Sequence, residues 1–449
     1  MRKFLPLTIV LVLFLSAGCT IKDNNPFSNQ NNLSNIDNEL ITINDDFKNE
    51  NDNNDDNEIT RWEDKNFEAL IRSYLDNFDE DIYFKDLDDI TELEIRSYAG
   101  VTTNIKQHAV PQEDWDKVGE LTSMKDIDNF NNLKKIALWS SDIEAVHVYK
   151  NCLNVEYLDL SHNNITDISN ISKYNNLTHF DISDNYVADL KPLGSLTALK
   201  ELTLSNIGQR DNNYISGCIE SEVDIDDIDD LKSLEFLHIE NSNISNVSKL
   251  NNLSNLEILN LYTCNIDTDK LLLSNCYKLE DFYFSFYNRT AENIAEKMVL
   301  DINKFDDLVN LKSLGLSNVF LSKKQSFSNL NNIESLYLSD VEVEDIGILE
   351  SLSNLKNIYL ADVNIESLKY LKNNTKLKSI SITYGNLSDI SDLKSFPDVE
   401  NLKLTDNKIT DISVLTQLNK LKKVIVFNNP IIDNSIIDEL KKREGITIN

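Results

Sequence analysis

Five cysteines and five histidines are the side chains of this 449-residue chain best suited to nucleophilic or metal chemistry, and their spacing organises neither. A reactive thiol needs a base within hydrogen-bond reach, and a metal site needs several donors that converge. Cys152, Cys218, Cys264 and Cys276 form no metal spacing and no even disulfide framework. Of His108, His147, His162, His179 and His238, only His162 and His179 could approach one another, and they lack a carboxylate framework at ligand spacing. The acidic run Asp224-Ile225-Asp226-Asp227-Ile228-Asp229-Asp230 could attract calcium. The simpler reading is that Ile225, Ile228 and Leu231 enter a core while the aspartates face water. No Ser/His/Asp order, glycine-rich phosphate loop or paired-carboxylate site stands out. The expectation is therefore no catalytic residue, no metal, no cofactor and no enzyme.

The elements that hold these residues are repeated. A leucine-type residue followed three and five positions later by two more occurs at Leu133/Ile136/Leu138, Val155/Leu158/Leu160 and Leu177/Phe180/Ile182. It returns at Leu199, Leu234, Leu256, Leu279, Leu311, Ile333, Leu355, Leu377, Val399 and Leu421, giving thirteen repeats, most of them 22 residues apart. A period in that range with L-x-x-L-x-L-x-x-N-x-I is the leucine-rich-repeat signature. One such unit cannot bury its apolar face alone, so the units must stack into a curved α/β solenoid, a horseshoe whose parallel strands line one concave surface. Cys152 and Cys276 fall three residues before a repeat start, where Leu or Phe stands in most other repeats. Cys264 takes the asparagine position. All three are expected to be buried. Asn163, Asn185, Asn407 and Asn429 hold that position in other repeats, but Val319, Val341, Val363 and Gly385 replace it in the middle ones, where turn backbone groups must find other partners.

The formal charge is −32, from 75 acidic against 43 basic residues. Phosphate binding needs a basic footprint, so nucleic acid is an unfavourable partner.

Arg2 and Lys3 precede an apolar run from Phe4 to Leu15 that is short for a membrane span, and Ser16-Ala17-Gly18 leads to a cysteine. This is the pattern of a secretory signal, and Leu15-Ser16-Ala17-Gly18-Cys19 resembles the bacterial lipobox. The resemblance implies cleavage before Cys19, lipidation of its thiol, and at least two acyl chains, enough for stable attachment to a membrane. The expected localisation is the extracytoplasmic face of the cell membrane. Residues 20–59 are dominated by Asn and Asp and cannot bury enough apolar area to offset their ordering, so they read as a disordered tether.

Order is expected from near Trp62. Trp62, Phe67, Leu70, Ile71, Tyr74, Leu75 and Phe78 follow helical spacing, and Leu87, Ile90, Leu93 and Ile95 read as an irregular first coil. At the other end Asn434-Ser435 opens a short helix, Ile436 to Arg443, before Gly445 and Ile446-Thr447-Ile448. The boundaries read as a signal peptide at 1–18, a lipidated cysteine and tether at 19–59, an N-terminal cap at 60–120, the repeat array at 121–432 and a C-terminal cap at 433–449. Long excursions interrupt the array: Gly100 to Gly119, Gly208 to Glu222, and a helix-like Thr290 to Leu300.

The cap, the period and turns such as Asn407-Lys408-Ile409-Thr410-Asp411-Ile412-Ser413 resemble the internalin-type repeats of bacterial surface proteins, here in lipoprotein form. The resemblance covers roughly residues 60–449 and implies a module that engages a protein, or sometimes a glycan, through its concave face; a monomer is expected. The chain departs from the family in lacking an immunoglobulin-like domain and a wall-attachment signal after the repeats, so host-cell invasion does not transfer. Two roles follow: an adhesin- or receptor-like recognition protein, or an envelope scaffold or substrate-capturing lipoprotein serving partners of the same cell.

Side chains alternate along a strand, so the residue between the second and third leucines points to the concave side. From repeat 5 that column reads His238, Asn260, Tyr283, Gly315, Tyr337 and Tyr359, with Phe236, Ile258 and Tyr262 in the neighbouring columns. Strands about 4.8 Å apart would set Tyr283 and Tyr337 as the walls of a slot floored by Gly315. The candidate ligand-binding set is Phe236, His238, Tyr262, Tyr283, Gly315, Tyr337 and Tyr359.

Overall fold

The computed structural model describes residues 58–96, 102–105, 108–109, 124–139, 143–207, 222–286, 297–323, 325–443 and 445–448. The signal peptide, Cys19, nearly all of the tether, Cys218 and most of the three excursions lie outside them.

Each repeat turns its apolar consensus residues inward. Leu256, Leu259 and Leu261 are fully buried, as are Leu279, Phe282, Leu355 and Ile358. The strands so formed pair in parallel and in register, each consensus leucine beside its counterpart: Leu158 with Phe180, Leu237 with Leu259, Leu336 with Ile358. Because both faces of a solenoid coil must match the next coil, a one-residue slip would turn every leucine outward, which fixes the register. The result is one long parallel sheet forming the concave wall of a curved leucine-rich-repeat solenoid.

That sheet starts one coil earlier than the regular repeats. Glu92–Arg96 pairs in parallel with Lys135–Trp139, and Leu87, Ile90, Leu93 and Ile95 are buried, as expected of the irregular first coil. Its outer edge is covered by Thr102–Ile105, which runs antiparallel to it and pairs in turn with His108–Ala109. Part of the first excursion thus closes a strand edge that would otherwise present unpaired backbone groups.

Opposite the sheet, short 3-10 turns complete the coils. Asp167, Asp389 and Asp411 each accept from the backbone N–H of the serine two residues on, at 2.8 to 2.9 Å, which starts the turn. Among the described residues these bonds hold the carboxyls of Asp389 and Asp411 below the usual range.

The N-terminal cap helix α1 spans Lys65–Leu75 and buries Phe67, Leu70 and Ile71. Asp64 caps it by accepting from the N–H groups of Asn66 and Phe67. The expected helical stretch is thus too long at both ends. Trp62 precedes the helix and packs edge-on against Phe67 and Phe130, while Phe78 is 64% exposed beyond it. Asp126 fastens the cap to the array by accepting from Glu63 and Asp64 N–H at 2.8 Å each. At the far end helix α2, Ser435–Leu440, is shorter than Ile436 to Arg443, and Leu440 is fully buried. Arg443 lies outside it and donates to the carbonyls of Leu418 and Thr416 in the last turn.

Two small parallel sheets lie away from the concave wall. One joins Glu222–Asp224, Asn243–Ser245 and the end of Ile258–Ile266; the other joins Met298–Val299, Val319–Leu321 and Glu342–Val343. The second corrects the end of the helix-like reading of Thr290 to Leu300, where Met298–Val299 is strand followed by the buried Leu300; residues 290–296 lie outside the described residues. Extended pairing with the neighbouring coil satisfies backbone groups there that a helix would have turned away from it.

Candidate binding face

The column read from repeat 5 is realised strand by strand. His238 pairs with Asn260, Asn260 with Tyr283, Tyr283 with Gly315, Gly315 with Tyr337, and Tyr337 with Tyr359. The rings of this column and its neighbours touch in sequence. Ring centroids are 6.4 Å apart for Phe236 and His238, 5.5 Å for His238 and Tyr262, and 6.2 Å for Tyr262 and Tyr283. Tyr283 and Tyr337 follow at 5.8 Å, and Tyr337 and Tyr359 at 4.6 Å with ring planes only 2° apart. Six rings therefore make one continuous stripe across repeats 5 to 10.

The expected slot over Gly315 is closed. A Cβ built on Gly315 would lie 2.3 Å from Cδ1 of Tyr283, because the Tyr283 ring lies across the glycine. The glycine makes a bed for the ring and not a floor between two walls. Tyr283 is 9% exposed as a consequence. The ring gains apolar contact on both sides by leaning toward Tyr337, and an open slot would forfeit that contact.

Burial pushes the phenols of Tyr262, Tyr283 and Tyr337 above their ordinary value, that of Tyr262 to about 12, with neighbouring phenols adding to the shift for Tyr283 and Tyr337. These hydroxyls stay protonated at neutral pH and remain able to donate. Within the stripe, Asn260 Oδ1 is shut off from solvent and has no hydrogen-bond partner.

The same column read upstream holds carboxylates that the choice of repeat 5 as a starting point left unread. Asp159 and Asp181 pair directly across adjacent strands, and Glu201, Glu240 and Asp281 stand beside the column. Asp159 and Asp181 each accept from the N–H of a following serine, Ser161 and Ser183, at 2.9 Å. Burial raises Asp181 and Asp281 above the usual carboxylate range, with Asp159 adding to the shift of Asp181.

The histidines are divided among separate partners. His162 meets Trp139 and Asp184, His179 meets Tyr157 and Glu201, and His238 meets Glu240. No cluster of three or more His, Cys, Asp or Glu side chains suited to a metal occurs among the described residues. Cys152, Cys264 and Cys276 are buried as expected, and burial pushes each thiol up to about 12, far from a reactive thiolate. In the acidic run, Ile225, Ile228 and Leu231 are fully buried as expected. Asn246 donates to Asp224 and Asp226, Asn252 donates to Asp229, and Lys249 pairs with Asp226. Those carboxylates therefore already serve the next coil.

Comparison with known proteins agrees with this architecture. The family model described as Leucine Rich repeats (2 copies) matches residues 153–195. No curated protein matches the chain in sequence. Among solved structures, an internalin (InlF) from Listeria monocytogenes is similar with a TM-score of 0.59 and 21% identity, over 80% of this chain and 94% of that one. The functional domain of InlJ from the same organism, whose description notes a cysteine ladder, gives 0.55 and 18% over 86% and 78%. A leucine-rich-repeat protein of Leptospira interrogans gives 0.52 and 18% over 73% and 86%. What the chain shares with these proteins is the fold: a leucine-rich-repeat solenoid similar to that of the internalins.

Proposed function

We propose that this is a membrane-anchored, extracytoplasmic recognition protein that binds a protein partner through its concave face, in the manner of an adhesin or receptor, and without catalysis. The aromatic stripe of repeats 5 to 10 is the observation that carries the reading. Rigid rings with a polar tip supply large contact area at low entropic cost and are over-represented where binding energy concentrates. A protein fits this surface better than a glycan. Tyr337 and Tyr359 stack on each other, so between them ring edges and hydroxyls, not free ring faces, meet the ligand. Sugars rely on free faces.

Anchoring rests on the lipobox residues Leu15 to Cys19, with residues 20–59 as the tether and the extracytoplasmic membrane face as the address. Cys19→Ser should leave an uncleaved or released precursor; a variant that still partitions into detergent like the wild type removes the anchoring part of the proposal.

The binding part is tested by recovering a partner with the chain and measuring its affinity for the triple variant Tyr283→Ala/Tyr337→Ala/Tyr359→Ala. None of the three belongs to the leucine core, so the array should remain folded while affinity falls at least about tenfold, the loss of roughly one hot-spot side chain. Unchanged affinity of the folded variant rules the stripe out.

A further inference from the structure

We infer that the partner segment seated on the stripe is cationic, carrying lysine or arginine side chains toward the floor of the concave face. This rests on the proposed binding role and gives the partner its chemistry.

Across the nine strands of repeats 2 to 10, the outward positions hold no lysine and no arginine, although the chain has 43 of them. They hold five carboxylates: Asp159, Asp181, Glu201, Glu240 and Asp281. Basic residues reach this wall only at its ends, such as Lys135, which lies 4.0 Å from Glu94, and Lys403.

The rim differs. One position before each strand begins, lysines and glutamates of successive coils neutralise one another: Lys134 with Glu156 at 3.2 Å, Lys200 with Glu235 at 2.8 Å, Lys312 with Glu280 at 2.6 Å, and Lys356 with Glu334 at 2.7 Å. The chain therefore supplies cations where its acids need partners for themselves and withholds them from the floor. Like charges directly opposite each other on adjacent strands are unfavourable, and Asp159 beside Asp181 is such a pair.

The aromatic stripe begins in repeat 5, where Glu240 stands beside His238, and Asp281 lies within it in repeat 7. The phenol oxygens of the stripe can accept hydrogen bonds from ammonium and guanidinium groups. A segment with basic side chains would meet carboxylates over repeats 2 to 5, Asp281 in repeat 7, and phenol oxygens over repeats 6 to 10. An acidic segment would meet repulsion from the same carboxylates.

The test titrates the full chain, at a physiological salt of about 0.15 M, with three labelled decapeptides of alternating Arg-Gly, Ser-Gly and Glu-Gly sequence. The Arg-Gly peptide should bind at least about tenfold tighter than Ser-Gly, and Glu-Gly should not bind. Asp181→Asn/Glu240→Gln/Asp281→Asn should weaken Arg-Gly binding about tenfold. The control Glu350→Gln/Glu366→Gln/Glu439→Gln removes the same charge from exposed positions off the concave wall and should change binding less than about twofold.

An equal loss in the control assigns the binding to diffuse net charge and overturns the proposal, as does failure of the Arg-Gly peptide to bind. Equal binding of Ser-Gly and Arg-Gly that is lost in Tyr337→Ala/Tyr359→Ala keeps the binding face and discards its cationic partner. Arg-Gly binding that needs the carboxylates but not the tyrosines keeps the cation and discards the stripe.

Discussion

Repeats 2 and 3 and repeats 8 and 9 build the same coil by different chemistry. In the former, Asn163 donates from Nδ2 to the carbonyls of Leu138, Leu160 and Ser161 and accepts at Oδ1 from Ile143 N–H. Asn185 repeats the pattern one coil later. In the latter the equivalent residues are Val319 and Val341, both buried, and short strands on the far side pair Val319 with Met298 and Phe320 with Glu342. One region ties its coils with side chains, the other with extra backbone pairing. Between them Cys264 does part of the asparagine's work, its Sγ lying 3.4 Å from the Ile239 carbonyl. The consensus asparagine is thus one solution to an accounting of buried backbone groups, and the coil tolerates any residue that leaves the account closed.

The sharpest test of that contrast removes the ladder from one region and apolar bulk from the other. Asn185→Val should cost about 3 kcal/mol, since several buried groups lose their partners at about 1 to 3 kcal/mol each and some will relax toward neighbours. Val341→Ala removes only methyl groups and should cost about 1 to 2 kcal/mol, a transfer-plus-cavity effect. Denaturant midpoints of the two variants measure the difference. Equal losses would mean that the asparagines are no more structural than the valines.

A second substitution should act in the opposite direction. The column three residues before each repeat start is Leu or Phe except where Cys152, Tyr174, Cys276 and Asn374 stand. The two cysteines place Sγ 3.3 to 3.7 Å from carbonyls of the preceding coil. Asn374 is fully buried with neither amide atom bonded. Asn374→Leu restores the column's usual residue and should raise stability by about 2 kcal/mol, by removing an unsatisfied buried amide. A lower midpoint would show that the amide has a partner that the coil depends on.

These contrasts also explain what could be read from the chain itself. The repeat register is legible because thirteen repeats state it, most of them 22 residues apart, and Leu133, Leu256 and Leu421 each enter the core as the pattern requires. The column His238 to Tyr359 followed from alternation along the strand. Alternation says nothing of side-chain torsions, however, so the Tyr283 ring lying across Gly315 could not be foreseen. The far-side strands are two or three residues long, too short to carry a period, and Trp62 as a plug beside Phe67 and Phe130 is a tertiary contact that helical spacing mimics. Asp159 and Asp181 occupy the same repeat position as the tyrosines but lie upstream of repeat 5, and Glu201, Glu240 and Asp281 stand in the columns beside it, so a reading of one column from repeat 5 onward does not meet them.

The smallest effect separates the two regions by pH. Asp181, on the floor, is raised above 3.8 by burial, with Asp159 adding to it and the Ser183 bonds opposing. A carboxyl raised in the folded state costs stability wherever it is ionised, and the cost disappears as pH falls through the raised value toward 3.8. Asp181→Asn keeps an acceptor for Ser183 N–H and removes the charge, so it should stabilise the array at pH 7 by about 1 kcal/mol or less, with the gain fading in acid. Asp411, in the turn of repeat 12, is lowered from 3.8 by its bonds from Ser413. Its contribution is present above 3.8 and lost as pH falls through the lowered value, so Asp411→Asn should destabilise at pH 7 and converge on the wild type in acid. The two differences in melting temperature should therefore have opposite signs at pH 7 and both shrink toward pH 3. Equal signs at pH 7 would mean that the floor carboxylate is already compensated within the chain, which would leave a cationic partner nothing to relieve.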